Sequence, residues 1–74
     1  MKAHSEVHEH DIVQLRRKVG GWPSGREGFV VAERGRLKLV EIEDEHGATL
    51  DFIAVPEADL KTVWSPPVRP SQVA

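Results

Sequence analysis

The chain has 74 residues, with twelve acidic side chains, ten basic side chains, a formal net charge of −2 and no cysteine. A chain of this length forms one small domain of marginal stability, and without cysteine neither a disulfide nor a thiolate metal site reinforces it. We find no signal peptide and no run of about 18 apolar residues, so we expect a cytoplasmic protein that does not enter a membrane.

The first third of the chain predicts an arm, a strand and a loop. Residues 1–10 are polar and rich in histidine, and they predict a flexible arm that contributes nothing to a core. Residues 11–17 alternate as a half-buried strand does, with Val13 and Leu15 on one face. Residues 19–25 contain three glycines and one proline. They predict a long structured loop that Trp22 attaches to the domain.

The rest of the chain predicts four more strands. Residues 28–34, 37–43 and 49–55 are rich in β-branched and other apolar side chains, and glycines at the two junctions supply the turns. Residues 56–60 are too few for a stable α-helix and predict one 3₁₀ turn, after which residues 61–64 return as a last short strand. Residues 65–74 predict a flexible, proline-rich tail.

This order of elements predicts the fold class. Five strands with a 3₁₀ turn before the last strand are the arrangement of a small SH3-like barrel. We therefore predict an all-β domain over residues 11–64, between the arm and the tail. Closure of such a small barrel uses most apolar residues for the core, and no recognisable catalytic or cofactor motif remains. We accordingly expect no cofactor and no enzymatic activity.

Four sequence motifs carry a family resemblance. They read Asp-Ile-Val-x-Leu, Trp-Pro-x-Gly-x-x-Gly-x-Val-Val, Val-Glu-Ile-x-Asp-x-x-Gly and Val-Pro-x-x-x-Leu, and the match as a whole covers about residues 11–63. This pattern resembles a family of short bacterial proteins catalogued only as a domain of unknown function. Since the motifs consist of turn glycines and core apolar residues, the resemblance implies a fold and not an activity.

A weaker resemblance is to the type II, plasmid-borne dihydrofolate reductases, which are SH3-like barrels that form homotetramers around a pore. Their Val-Gln-Ile-Tyr-Pro strand matches residues 50–54 here, which read Leu-Asp-Phe-Ile-Ala. The positions of the pore glutamine and tyrosine are thus Asp51 and Ile53. An acidic pore would repel the phosphates of NADPH, so an oligomeric reductase is the remote alternative.

The predicted strands have apolar side chains on both faces. One face of a small barrel strand fills the core, yet Leu37, Leu39, Leu50 and Phe52 lie on the other face from the predicted core residues. An exposed apolar surface of this size in a 74-residue chain marks an interface. We predict that these four residues contact a second copy of the chain, as a homodimer or higher oligomer, or another protein. The alternative is that strand bending partly buries both faces.

The Trp22 loop is a second candidate for partner binding, because an indole beside cationic side chains is typical of interface anchors. The candidate residues are Trp22, Arg16, Arg17 and Arg26. The alternative is that Trp22 closes one end of the barrel. The same cations, with Lys18, form a basic rim that could bind nucleic acid, but the negative net charge and the lack of an RNA-binding motif oppose this reading.

Two further clusters are weaker candidates for metal binding. His4, His8 and His10 have a spacing that could bind a metal on a helix, although the segment has no apolar stripe to support a helix. A set of acidic residues could hold Mg²⁺ or act as acid and base: Glu41, Glu43, Asp44, Glu45 and Asp51. Strand alternation, however, places Glu41 and Glu43 on a solvated outer face. We therefore predict no metal site. The sequence thus favours a protein-interaction module, for example a regulatory or antitoxin-like accessory protein.

Overall fold

The computed structural model describes residues 6–67 of the chain. Five antiparallel strands form one sheet in the order β4-β3-β2-β1-β5. Their bounds are Ile12–Leu15 for β1, Glu27–Arg34 for β2, Leu37–Glu43 for β3, Thr49–Pro56 for β4 and Leu60–Trp64 for β5, with a 3₁₀ turn at Glu57–Asp59. The predicted all-β, SH3-like arrangement with a 3₁₀ turn before the last strand is confirmed.

Turn residues account for the two tight connections. Gly35 has a φ of 60° between β2 and β3, and Gly47 has a φ of 84° between β3 and β4. Positive φ costs glycine little because it has no Cβ. In the second turn the Asp44 carboxylate accepts hydrogen bonds from the backbone N–H groups of His46 and Ala48, at 2.8 and 2.9 Å. Both turns lie where the sequence predicts them.

The core lies on the inner face of the sheet, where the alternating apolar residues of all five strands meet. Its strand residues are Val13, Leu15, Val30, Val40, Ile42, Ile53, Val55 and Leu60. Gly28 completes this packing, because a Cβ at its position would clash with Cγ1 of Val40. The close approach of β2 to the Val40 side chain thus requires glycine.

The predicted arm needs a correction at Val7. This side chain is 1% exposed and belongs to the core, and its backbone N–H donates a 2.9 Å hydrogen bond to the Glu57 carboxylate. The backbone of His10 and Asp11 then pairs with Val30 of β2. The prediction that residues 1–10 contribute nothing to the core is therefore wrong, and the domain begins before residue 11. Residues 1–5 lie outside the described residues, as do residues 68–74 of the predicted tail.

One cationic side chain is buried in the barrel. Lys38 is 3% exposed, and its ammonium group donates to the Glu33 carboxylate at 3.0 Å and to the Gly35 carbonyl at 2.8 Å. The second carboxylate oxygen of Glu33 accepts the Glu9 N–H at 2.9 Å. Partial burial raises the pKa of Glu33, but the Glu9 N–H and the Lys38 ammonium outweigh burial, and the pKa lies below its ordinary value of 4.5.

This depressed pKa predicts the acid response of the domain. A carboxylate with a lower pKa in the folded state stabilises that state fully above the unfolded pKa, and the contribution is lost as the pH falls through the folded pKa. We expect the free energy of unfolding to fall less steeply with acidification below pH 4.5 in Glu33→Gln than in the wild type. Urea titrations at several pH values measure this. Glu45→Gln, at an exposed turn position, is the control; parallel profiles for Glu33→Gln and the wild type would contradict the assignment.

Candidate functional site

A row of side chains crosses the outer face of all five strands. Pairing across the sheet places them in the order Trp64, Ile12, Phe29, Glu41 and Phe52. Directly opposite residues of antiparallel strands share one face of the sheet. The row is apolar except at Glu41, and its two end residues are exposed by 50% for Trp64 and 53% for Phe52.

The four predicted interface residues lie on β3 and β4 and are all exposed: Leu37, Leu39, Leu50 and Phe52. Leu37 lies opposite Pro56, and Leu39 lies opposite Ala54, so two further exposed apolar residues join the same surface. We call Leu37, Leu39, Phe52, Ala54 and Pro56 the apolar patch. Leu50 lies near the start of β4, at the irregularity where the pairing with β3 shifts between Ile42 and Glu43. The alternative, in which strand bending partly buries both faces, stays open beside the interface prediction.

The Trp22 loop folds back on itself and onto the barrel. The backbones of Val19 and Trp22 exchange two hydrogen bonds, and both side chains pack against the core. The indole N–H of Trp22 donates to the Asp51 carboxylate at 2.8 Å, and the Arg26 guanidinium lies 4.9 Å from the ring centre. The polar end and one face of the indole are thus occupied within the chain. A role of Trp22 in partner binding stays a prediction.

The predicted basic rim is engaged in contacts within the chain. Arg16 donates to the Leu60 carbonyl at 3.0 Å, and Arg17 forms an ion pair with Asp59 at 2.9 Å. Arg26 donates to the Glu43 carbonyl while it stacks on Trp22. These contacts hold the β1–β2 loop against the 3₁₀ turn and β3. Binding of a partner or of nucleic acid by Arg16, Arg17 and Arg26 stays a prediction.

The histidine and acidic clusters do not come together as a metal centre in the described part of the chain. Residues 6–67 contain no group of three or more histidine, aspartate or glutamate side chains placed to hold a metal ion. His8 instead faces two carboxylates, Glu6 at 3.2 Å and Glu33 at 3.5 Å. The His10 ring contacts Phe29, with 6.1 Å between ring centres. His4 of the predicted triad lies outside the described residues.

Sequence reasoning missed several residues of the outer surface. Ile12, Phe29, Ala54 and Pro56 join it through the register in which β1 pairs with β2 and β3 pairs with β4. The only local signal for them was period-two alternation, which does not say which strands are neighbours.

Comparison with protein-family models, with curated proteins and with solved structures found no match. Residues 6–67 contain no helix with the length and apolarity needed to cross a bilayer. The surfaces of the domain are therefore the basis on which a function is proposed.

Proposed function

We propose that this chain is a protein-interaction module rather than an enzyme, and that it forms a homodimer through the apolar patch. One observation carries the proposal: Leu37, Leu39 and Phe52 are 43%, 37% and 53% exposed on one continuous face of β3 and β4. Contiguous exposed apolar surface of this kind marks interfaces in soluble proteins. Ala54 and Pro56 extend the same face without adding charge.

The small core favours a second copy of the chain as the occupant. A domain of this length buries only about 60% of the surface that its unfolded chain exposes, so its stability is marginal alone. The chain has no cysteine, so disulfides are not available to it. Oligomerisation is one of the remaining means by which small domains gain stability. A dimer would bury apolar side chains that the sheet leaves in water.

The charges that border the apolar patch fit a two-fold dimer. Arg34 lies opposite Leu37 at one end of the patch, and Glu41 lies opposite Phe52 at the other end. In a two-fold interface the same surface meets itself, so opposite ends of the patch come together. A two-fold axis near Leu39 brings Arg34 of each copy towards Glu41 of the other. The patch is thus self-complementary in both charge and apolarity.

Sedimentation tests the dimer. We expect the wild type to sediment as a dimer at micromolar concentration, because stable interfaces bury about 800 Å² per partner and this patch offers mainly apolar area. Leu39→Glu places a charge at the centre of the patch and should give a folded monomer, with a dissociation constant raised at least about a hundredfold.

The matched control is Val63→Glu. Val63 is 41% exposed on β5, at the other edge of the sheet order, so this variant should remain a dimer. Circular dichroism checks that both variants fold. A wild type that stays monomeric at hundreds of micromolar, or equal dissociation by the two variants, would disprove this dimer.

A further inference from the structure

An apolar groove lies at the other end of β3 from Leu37. Its volume is about 470 Å³, and its lining includes Ile12, Phe29 and the backbone of Gly28. Ile12 and Phe29 lie opposite each other on β1 and β2, so their side chains form an apolar surface across two strands. The volume falls within the range of about 300–1,000 Å³ that is typical of ligand pockets, which is room for more than one side chain.

Carboxylates surround this apolar surface. Four acidic residues complete the lining: Glu27, Glu41, Glu43 and Asp44. Asp44 caps the turn that follows β3, and Glu41 accepts a hydrogen bond from the Thr49 hydroxyl. Within residues 6–67, no lysine or arginine forms an ion pair with any of the four. The nearby Arg26 donates to the backbone carbonyl of Glu43 and stacks on Trp22. The four carboxylates therefore make the described lining of the groove acidic, although the Arg26 cation lies beside it.

The chemistry of this groove specifies its occupant. A long basic side chain packs its aliphatic stem on apolar surface while its charged head stays with polar groups. A cation near a phenylalanine ring gains a further attraction from the ring quadrupole. The Ile12 and Phe29 surface with carboxylates around it supplies both requirements. We propose that this groove binds an extended segment of a partner protein in which lysine or arginine alternates with apolar residues.

This inference rests on the proposed role as an interaction module and adds a second surface to it, which shares Glu41 with the charges that border the apolar patch. The apolar patch contains Leu37 and Leu39 at the start of β3, whereas the groove is lined by Glu43 at its end. Sedimentation reports on the dimer and peptide titration reports on the groove. Titration of the Leu39→Glu monomer keeps the two outcomes separate, since the groove does not include Leu39.

The experiment is a nuclear magnetic resonance titration of the full chain with the peptide acetyl-Ala-Lys-Val-Arg-Val-Lys-Ala-amide. We expect saturable shifts of the Gly28, Phe29 and Glu43 amides, with a dissociation constant on the order of 100 µM. The double variant Glu27→Gln with Glu43→Gln should weaken binding by about fivefold or more, since each exposed charge pair contributes modestly. Both side chains are exposed, so the fold should survive.

The control variant is Glu6→Gln with Glu45→Gln, which changes the net charge equally at two exposed positions outside the groove. It should bind the peptide within about twofold of the wild type, because neither side chain lines the groove and an exposed charge that makes no direct pair contributes little. Equal loss in both double variants would overturn the assignment, as would equal binding of the peptide with glutamate in place of its basic residues. Equal affinity for spermidine would show a polyamine site instead. Peptide binding that appears only after deletion of residues 68–74 would show that the chain's own end occupies the groove.

Discussion

Deletion of residues 1–10 should lower the free energy of unfolding by about 3 kcal/mol or more, because it removes a core side chain together with the backbone N–H donors to the Glu57 and Glu33 carboxylates. Val7 is 1% exposed, and its N–H satisfies the Glu57 carboxylate. The same deletion removes the Glu9 N–H from the Glu33 carboxylate, which then has only Lys38 as a close charged or hydrogen-bonding partner. The sequence alone predicts a loss within about 1 kcal/mol even when residues 1–10 and 65–74 are deleted together, since it assigns neither segment a core residue.

A matched pair of single substitutions isolates the packing contribution. Val7→Ala should cost about 2 kcal/mol, because the two methyl groups leave a cavity in the core. Val63→Ala makes the same chemical change at a 41% exposed position and should cost under about 0.5 kcal/mol. Urea denaturation measures all three proteins against the wild type. A deletion variant that loses less than 1 kcal/mol would mean that the Val7 contact does not stabilise the domain.

The strands were predictable because their signal is local. In β3, successive side chains point to opposite faces, so Leu37 and Leu39 share one face while Lys38 and Val40 share the other. The glycine turns at both ends of the strand limit where it can begin and stop. Such alternation also separates the two faces, so the exposure of Leu37 and Leu39 followed directly. What the pattern did not explain is how the inner face accommodates a lysine. Lys38 shares that face with Val40, and its ammonium group donates to the Glu33 carboxylate opposite it and to the Gly35 carbonyl.

The features that were not predictable depend on contacts between distant parts of the chain. Val7 is a single apolar residue among polar neighbours, without any periodicity, and it is buried because the hydrogen bonds of Asp11 to β2 place it over the core. The acidic groove likewise requires β1, β2 and β3 in one register. Two of its carboxylates, Glu27 and Glu43, are sixteen positions apart in the sequence. The sequence shows that the chain contains these carboxylates, but it does not show that they meet at one surface, because that depends on the strand register.

The second large effect on the free energy of unfolding is expected from substitution of Trp22. Trp22→Ala should lower the free energy of unfolding by about 3 kcal/mol, because the indole packs against the core and large aromatic truncations are among the costliest. Trp22→Phe keeps most of the packing and removes the donor to Asp51, so it should cost about 1 kcal/mol. Asp51→Asn retains an acceptor oxygen and should cost less than Asp51→Ala. This order distinguishes a packing role from a hydrogen-bonding role.

Fluorescence in a Trp64→Phe background then decides between a barrel cap and a binding anchor. Trp64 is 50% exposed, and its removal leaves Trp22 as the single emitter. We expect blue-shifted emission that resists iodide, since the indole contacts the core and donates to Asp51. A cap of this kind should tolerate the Leu39→Glu variant without a change in its emission, because the indole's partners Asp51 and Arg26 are not part of the apolar patch. Red-shifted, readily quenched emission, together with a stable Trp22→Ala variant, would contradict the packing role. The Trp22 loop would then become the leading candidate for the partner-binding surface.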